Sequence, residues 1–232
     1  MELLPCIQTL AHLQQFLQWQ SSRPLADTDN CLLIGSEETY AFIEAAVRSL
    51  RGCVSTKRLH IGMDEAHDVG LGRYLQQHGP VDRFALLNEH LNRVADICRR
   101  YDFEPMMWSD MFFRLGSATG DYYDPDCHVP QPVIDGMPEV GMVYWDYYHR
   151  DEATYEHMLA EHDRMNKQVI FAGGNWTWSG FLPHVNRTEV TTLPAMRVCV
   201  RRHTDTVLAT MWGDDGHETD VFLALNQLPL FS

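Results

Sequence analysis

Positive charge is scarce in this chain: 18 lysines and arginines stand against 32 aspartates and glutamates in 232 residues, a net charge of −14. A surface that gathers nucleic-acid phosphates needs clustered cations, so nucleic acid is set aside as a partner. Long apolar runs are missing too. None reaches the roughly 18 residues of a membrane span. Residues 1–20 have no basic start, apolar centre or cleavage site, so neither a membrane nor a secretory leader is expected. The six cysteines (6, 31, 53, 98, 127 and 199) are scattered without a CxxC pair. That speaks against zinc ribbons and a disulfide framework, and for reduced thiols in a cytoplasm. There is no GxSxG elbow, no GxxxxGK phosphate loop and no HExxH pair. His60, Asp64, Glu65, His67 and Asp68 do crowd together, but a pleated strand separates such neighbours. No metal and no cofactor are expected.

What is present is an ordinary foldable composition, 45% hydrophobic and 22% charged. Strand-like runs occur at 3–9, 58–63, 105–111, 139–146, 168–174 and 206–212. Helical patterns lie between them. One spans 36–50, with Ser36 as N-cap and Glu37 and Glu38 in its first turn. The strongest spans 82–101, where Phe84, Leu87, Leu91, Val94, Cys98 and Tyr101 recur at steps of three and four behind Asp82. A third follows Asp151, with Tyr155, Met158, Leu159 and His162 on one face. A fourth is expected to open near Pro194, and a last one covers 218–227. Strand–helix alternation at this spacing predicts parallel strands with crossover helices. The stretch 112–138, rich in Gly, Pro and Asp, is irregular where a crossover helix belongs, and connections that long are usually functional.

The polar residues gather at the C-terminal ends of the runs, the edge where ligands bind in α/β sheets and barrels. The first run ends in Gln8 and His12, the second in Asp64 and Glu65. Trp108 and Asp110 close the third, Tyr144 and Asp146 the fourth. Asn175, Trp176 and Trp178 follow the fifth, Trp212 and Asp214 the last. Side chains alternate along a strand, so Trp108 with Asp110, Tyr144 with Asp146 and Trp212 with Asp214 are each expected on one face. A single tryptophan there could equally plug a rim. Rings with carboxylates beside them suit a sugar, whose apolar faces lie on indoles and whose hydroxyls donate to carboxylates.

Six segments, in order, carry a resemblance to a known family. HIGMDE (60–65) resembles the catalytic signature of glycoside hydrolase family 20, the β-N-acetylhexosaminidases. PCIQTLAH (5–12), MMWSDM (106–111), VYWDYY (143–148), GGNWTWSGF (173–181) and TMWGDDG (210–216) are similar to further motifs of that family. The likeness is greatest to its bacterial exo-β-glucosaminidase-like subgroup. The resemblance implies an α/β fold, a (β/α)8 TIM-type barrel, and a retaining reaction in which the substrate's own acetamido oxygen attacks the anomeric carbon. It makes Glu65 the general acid and then the base, and Asp64 the residue that orients the acetamido group. It makes Tyr144 the donor to the acetamido carbonyl. Trp108, Trp176, Trp178 and Trp212 would wall the pocket. Asp110, Asp146 and Asp214 would serve the substrate's hydroxyls, and His12 would tune Glu65.

Matched to the family order, the motifs correspond to strands three to eight of eight, with an irregular loop replacing the helix after strand five. Residues 1–232 are therefore expected to be one truncated catalytic barrel. The partner implied is a small glycan, with a homodimer as the assembly considered. The alternative is a non-catalytic carbohydrate-binding remnant of such an enzyme. Tyr122 or Tyr123 is the expected stand-in for a tryptophan that some members carry on the 112–138 loop.

Overall fold

In the computed structural model, residues 2–213 and 218–232 are described. Two compact units divide the chain, residues 1–141 and 142–232. In the first, after the short helix α1 (Gln14–Leu17), α2 runs over Glu37–Arg51 and leads to strand β1 (Arg58–His60). Helices α3 (Arg73–His78) and α4 (Arg83–Arg100) precede β2 (Glu104–Trp108), which lies parallel to β1 with Leu59 opposite Pro105. Two short helices follow, α5 (Asp110–Gly116) and α6 (Gln131–Asp135).

The apolar stripe on α4 explains the packing. Leu87, Leu91, Val94 and Cys98 are fully buried, α4 packs on α2 and on β2, and the Asp82 carboxylate accepts the Phe84 N–H at its start. Ser36 behaves differently from expectation. Its hydroxyl donates to the Glu38 carboxylate rather than capping a backbone N–H of α2.

The second unit is a βαβαβ run: β3 (Gly141–Asp146, beginning at the boundary), α7 (Glu152–Asp163), β4 (Val169–Gly174), α8 (Val185–Arg201) and β5 (Val207–Thr210). All pairings are parallel, with Tyr144 opposite Phe171 and Phe171 opposite Val207. Asp151 caps α7 through the Thr154 N–H, as expected. The helix α9 (Val221–Ala224) leads into a 3-10 turn, Leu225–Phe231, which packs back on α8 and β5.

Three sequence expectations are corrected here. The run 3–9 is not a strand; only Cys6 bridges to His60, with Ile7 N–H donating to the His60 carbonyl. Pro194 does not open a helix but sits inside α8, which starts nine residues earlier behind a His184 side chain that accepts from Arg187 N–H. The 112–138 stretch is partly helical, with α5 and α6 framing an irregular 117–130. No disulfide joins the six cysteines, and no helix among the described residues is long and apolar enough to cross a membrane.

Candidate active site

In the first unit the polar residues converge where β1 ends. Regular pleating would point Asp64 and Glu65 apart. The strand stops at His60, however, and Gly62, Met63 and Glu65 take positive φ values of 70°, 74° and 48°. That tight, left-handed path turns both carboxylates to one imidazole. His12 Nε2 lies 3.2 Å from Asp64 Oδ2 and 3.5 Å from Glu65 Oε2. Such backbone outliers are costly and persist where surrounding contacts hold them. Here the Gln8 side chain does so: its Nε2 donates to Asp64 Oδ1 at 2.9 Å, and its Oε1 accepts Met63 N–H at 3.3 Å. Glycine suits position 62, because at a φ of 70° a Cβ there would lie 2.0 Å from Gln8 Oε1 and force that side chain off Asp64.

The other side of the turn is held by Asp110. Its Oδ2 accepts the Glu65 N–H at 2.9 Å, tying the start of α5 to the carboxylate pair. β2 ends at Trp108, and the period changes from strand to helix at Asp110, so the face expected to be common to these two residues does not exist as a strand face. Trp108 is 5% exposed, with its ring on His60 at 4.4 Å between centroids. Of the two tyrosines named on the 112–138 stretch, Tyr122 brings its hydroxyl to His67 Nε2, two residues beyond Glu65.

The two carboxylates differ in setting. The Asp64 side chain is 19% exposed and that of Glu65 40%. Burial pushes the Asp64 carboxyl upward, but the hydrogen bonds from His12 and Gln8 outweigh it and hold Asp64 below its usual range. The Asp64 bond raises the His12 imidazole, against a smaller opposing effect of burial. The Tyr122 phenol is raised by burial and by the charges of Asp110 and Glu65, which places it in the field of the carboxylates. The cluster thus holds one fixed anion, one accessible carboxyl group and an imidazole that favours its charged form.

The second unit carries an aromatic cluster beyond β3, β4 and β5. Trp176 and Trp178 stack at 4.5 Å, Trp178 meets the Tyr147 ring edge-on at 5.4 Å, and Trp145 stacks on Tyr147 at 5.3 Å. Trp212 Nε1 donates to the Tyr147 hydroxyl at 3.1 Å, and Trp176 Nε1 to the Tyr147 carbonyl. Tyr147, absent from the sequence expectations, is therefore the hub of this cluster. VYWDYY places aromatics on both parities of the strand, so alternation alone could not choose between Tyr144 and Tyr147.

Tyr144 and Asp146 lie on the other face. The Tyr144 ring packs on His162 of α7 and on Phe171, and its hydroxyl donates to Asp146 Oδ2 at 2.8 Å. The Asp146 side chain is wholly buried and also accepts from the backbone N–H groups of Tyr148 and His149 and pairs with the His149 ring. A carboxylate so surrounded holds the β3–α7 turn rather than meeting a sugar hydroxyl. The structure thus places these two expected ligand-facing residues against α7 and Phe171 and within the β3–α7 turn. Asp214 lies outside the described residues.

No protein-family model matches the chain, and no curated protein matches it in sequence. Solved structures do resemble it. A β-N-acetylhexosaminidase from Bacteroides fragilis aligns with 97% of this chain at 17% identity and a TM-score of 0.60. A chitobiase from Flavobacterium johnsoniae aligns with all of it at 9% identity and a TM-score of 0.59. The N-acetyl-β-hexosaminidase of Streptomyces plicatus, solved with Thio-NAglucal, covers 78% at 17% identity and a TM-score of 0.51. This chain spans 47%, 39% and 32% of those proteins' lengths respectively. At such identities the likeness is one of fold: a glycoside-hydrolase-like α/β architecture of parallel strands, in keeping with part of a TIM-type barrel.

Proposed function

We propose that this chain carries the acid–base centre of a β-N-acetylhexosaminidase-type glycoside hydrolase. The observation that carries the reading is the convergence of Asp64 and Glu65 on His12 through a run of positive-φ residues, in a fold similar to that of solved hexosaminidases. Glu65, the more accessible carboxyl group, protonates the departing glycosidic oxygen and then takes a proton from the incoming water. Asp64 is kept ionised by His12 and Gln8, and acts as the anion that orients a substrate acetamido group and offsets positive charge developing on it. The acetamido oxygen itself closes on the anomeric carbon as the glycosidic bond breaks, so the protein supplies no nucleophile. In the second unit, the tryptophan cluster around Tyr147 offers ring faces for a pyranose. Tyr147, rather than Tyr144, has its hydroxyl among those rings.

The test is hydrolysis of paired p-nitrophenyl β-glycosides, N-acetylglucosaminide against glucosaminide. The assisted reaction predicts a strong preference for the acetylated substrate, because the free amine has no acyl oxygen to attack. Equal rates on the two would remove the substrate-assisted step. A second reading, a carbohydrate-binding module without turnover, rests on the tryptophan cluster around Tyr147 alone. Saturable N-acetylglucosamine binding with no p-nitrophenol release would select it.

A further inference from the structure

The segment 8–12 supplies both groups that touch the carboxylate pair, yet it belongs to no helix or strand. Gln8 and His12 must be positioned to within fractions of an ångström by something other than a backbone ladder. Behind the segment lies a histidine with no part in the proposed chemistry. His90, on α4, is completely buried. Its Nε2 lies 2.9 Å from the Thr9 carbonyl oxygen and its Nδ1 3.2 Å from the Tyr40 hydroxyl on α2.

We infer that His90 is a positioning residue: through Thr9, it sets the loop that presents Gln8 and His12 to Asp64 and Glu65. Complete burial keeps the His90 ring neutral, and for a neutral imidazole the hydrogen-bond chemistry admits a single arrangement. A carbonyl oxygen only accepts, so Nε2 carries the proton and donates it to Thr9. Nδ1 is then the acceptor and the Tyr40 hydroxyl the donor. That hydroxyl accepts in turn from Gly35 N–H at 3.4 Å. On the other side of the same residue, Thr9 Oγ1 donates to the Ile61 carbonyl at 2.7 Å, fastening the loop to the strand end from which the positive-φ turn departs. Leu10 and Ala11 are fully buried, the Leu10 carbonyl accepts Leu32 N–H, and Asn30 Oδ1 accepts His12 N–H at 2.8 Å. Of these fasteners only His90 reaches the loop from α4, so it couples the α2–α4 pair to the carboxylates.

The inference rests on the reading of Glu65 and Asp64 as the acid–base pair, but its test is separable from activity. Long-range proton–nitrogen NMR of the wild-type chain should show His90 as the Nε2–H tautomer. The His12 imidazole, followed through its own titration, should lie above its ordinary value in the wild type. It should fall back towards that value in His90→Phe and recover in His90→Gln, whose side-chain amide can still donate to Thr9. If hydrolysis is present, His90→Phe should lower kcat by up to about 100-fold, the scale of a misplaced catalytic group, with KM little changed, and His90→Gln should restore most of it. An Nδ1–H tautomer, or a folded His90→Phe protein with unchanged His12 titration, would overturn the inference. A shifted His12 titration in a chain that hydrolyses nothing would uphold the positioning and overturn the enzymatic reading alone.

Discussion

At the scale of single residues, the site depends on a backbone path that few side chains tolerate. Replacing Gly62 by alanine puts a methyl group on Gln8 Oε1 at a φ of 70°. Gly62→Ala should therefore cost about 1–3 kcal/mol in denaturant unfolding, the range for strained backbone positions, and should also displace Gln8 from Asp64. His12 and Asp64 stabilise each other over a definite pH window. Asp64 lies below its ordinary value of 3.8, so its contribution is present above that pH and is lost as the pH falls through its folded value. His12 lies above 6.5, so its contribution is complete below that pH and is lost as the pH rises through its folded value. The difference in melting temperature between wild type and His12→Ala should thus be greatest between about pH 4 and pH 6.5 and should shrink on either side. A difference that grows steadily from pH 6 to pH 9 would contradict the pairing.

At the scale of elements, β3 separates two roles that look alike in sequence. Asp146 satisfies two backbone N–H groups, a phenol and an imidazole inside the β3–α7 turn. Asp146→Ala removes the acceptor of the buried Tyr144 hydroxyl and of the half-buried Tyr148 and His149 groups, and should destabilise the chain by about 3 kcal/mol. Tyr144→Phe should cost only about 1 kcal/mol and leave N-acetylglucosamine binding by calorimetry unchanged. Tyr147→Phe, which removes the hydroxyl that Trp212 donates to, should weaken that binding. The reverse order would return the sugar-facing role to Tyr144.

The same strand shows what was legible beforehand and what was not. α4 and α7 followed from apolar periodicity and their aspartate caps, because burial of one stripe and satisfaction of end N–H groups are local properties. His12, Asp64, Glu65 and Asp110 could be picked out as polar ends of apolar runs. Their mutual distances could not, because they depend on positive φ at Met63 and Glu65, for which an L residue gives no signal. Residues 3–9 read as a strand by composition, yet only Cys6 bridges to β1. His90 reads as one more polar residue on an amphipathic helix, and only its long-range partners reveal it.

At the scale of the whole molecule, a markedly acidic chain with parallel α/β units resembles solved hexosaminidases in fold while sharing no more than 17% identity with those compared. Fold alone does not carry chemistry. The proposed chemistry rests on the pair that the turn after β1 brings to His12. The most direct measurement is p-nitrophenol release from the N-acetyl-β-glucosaminide by wild type and by Glu65→Gln at matched folding. Loss of the general acid should lower kcat by about 10²–10⁴-fold, with KM and the melting temperature nearly unchanged. Equal turnover by the two proteins would contradict the assignment of Glu65 as the acid.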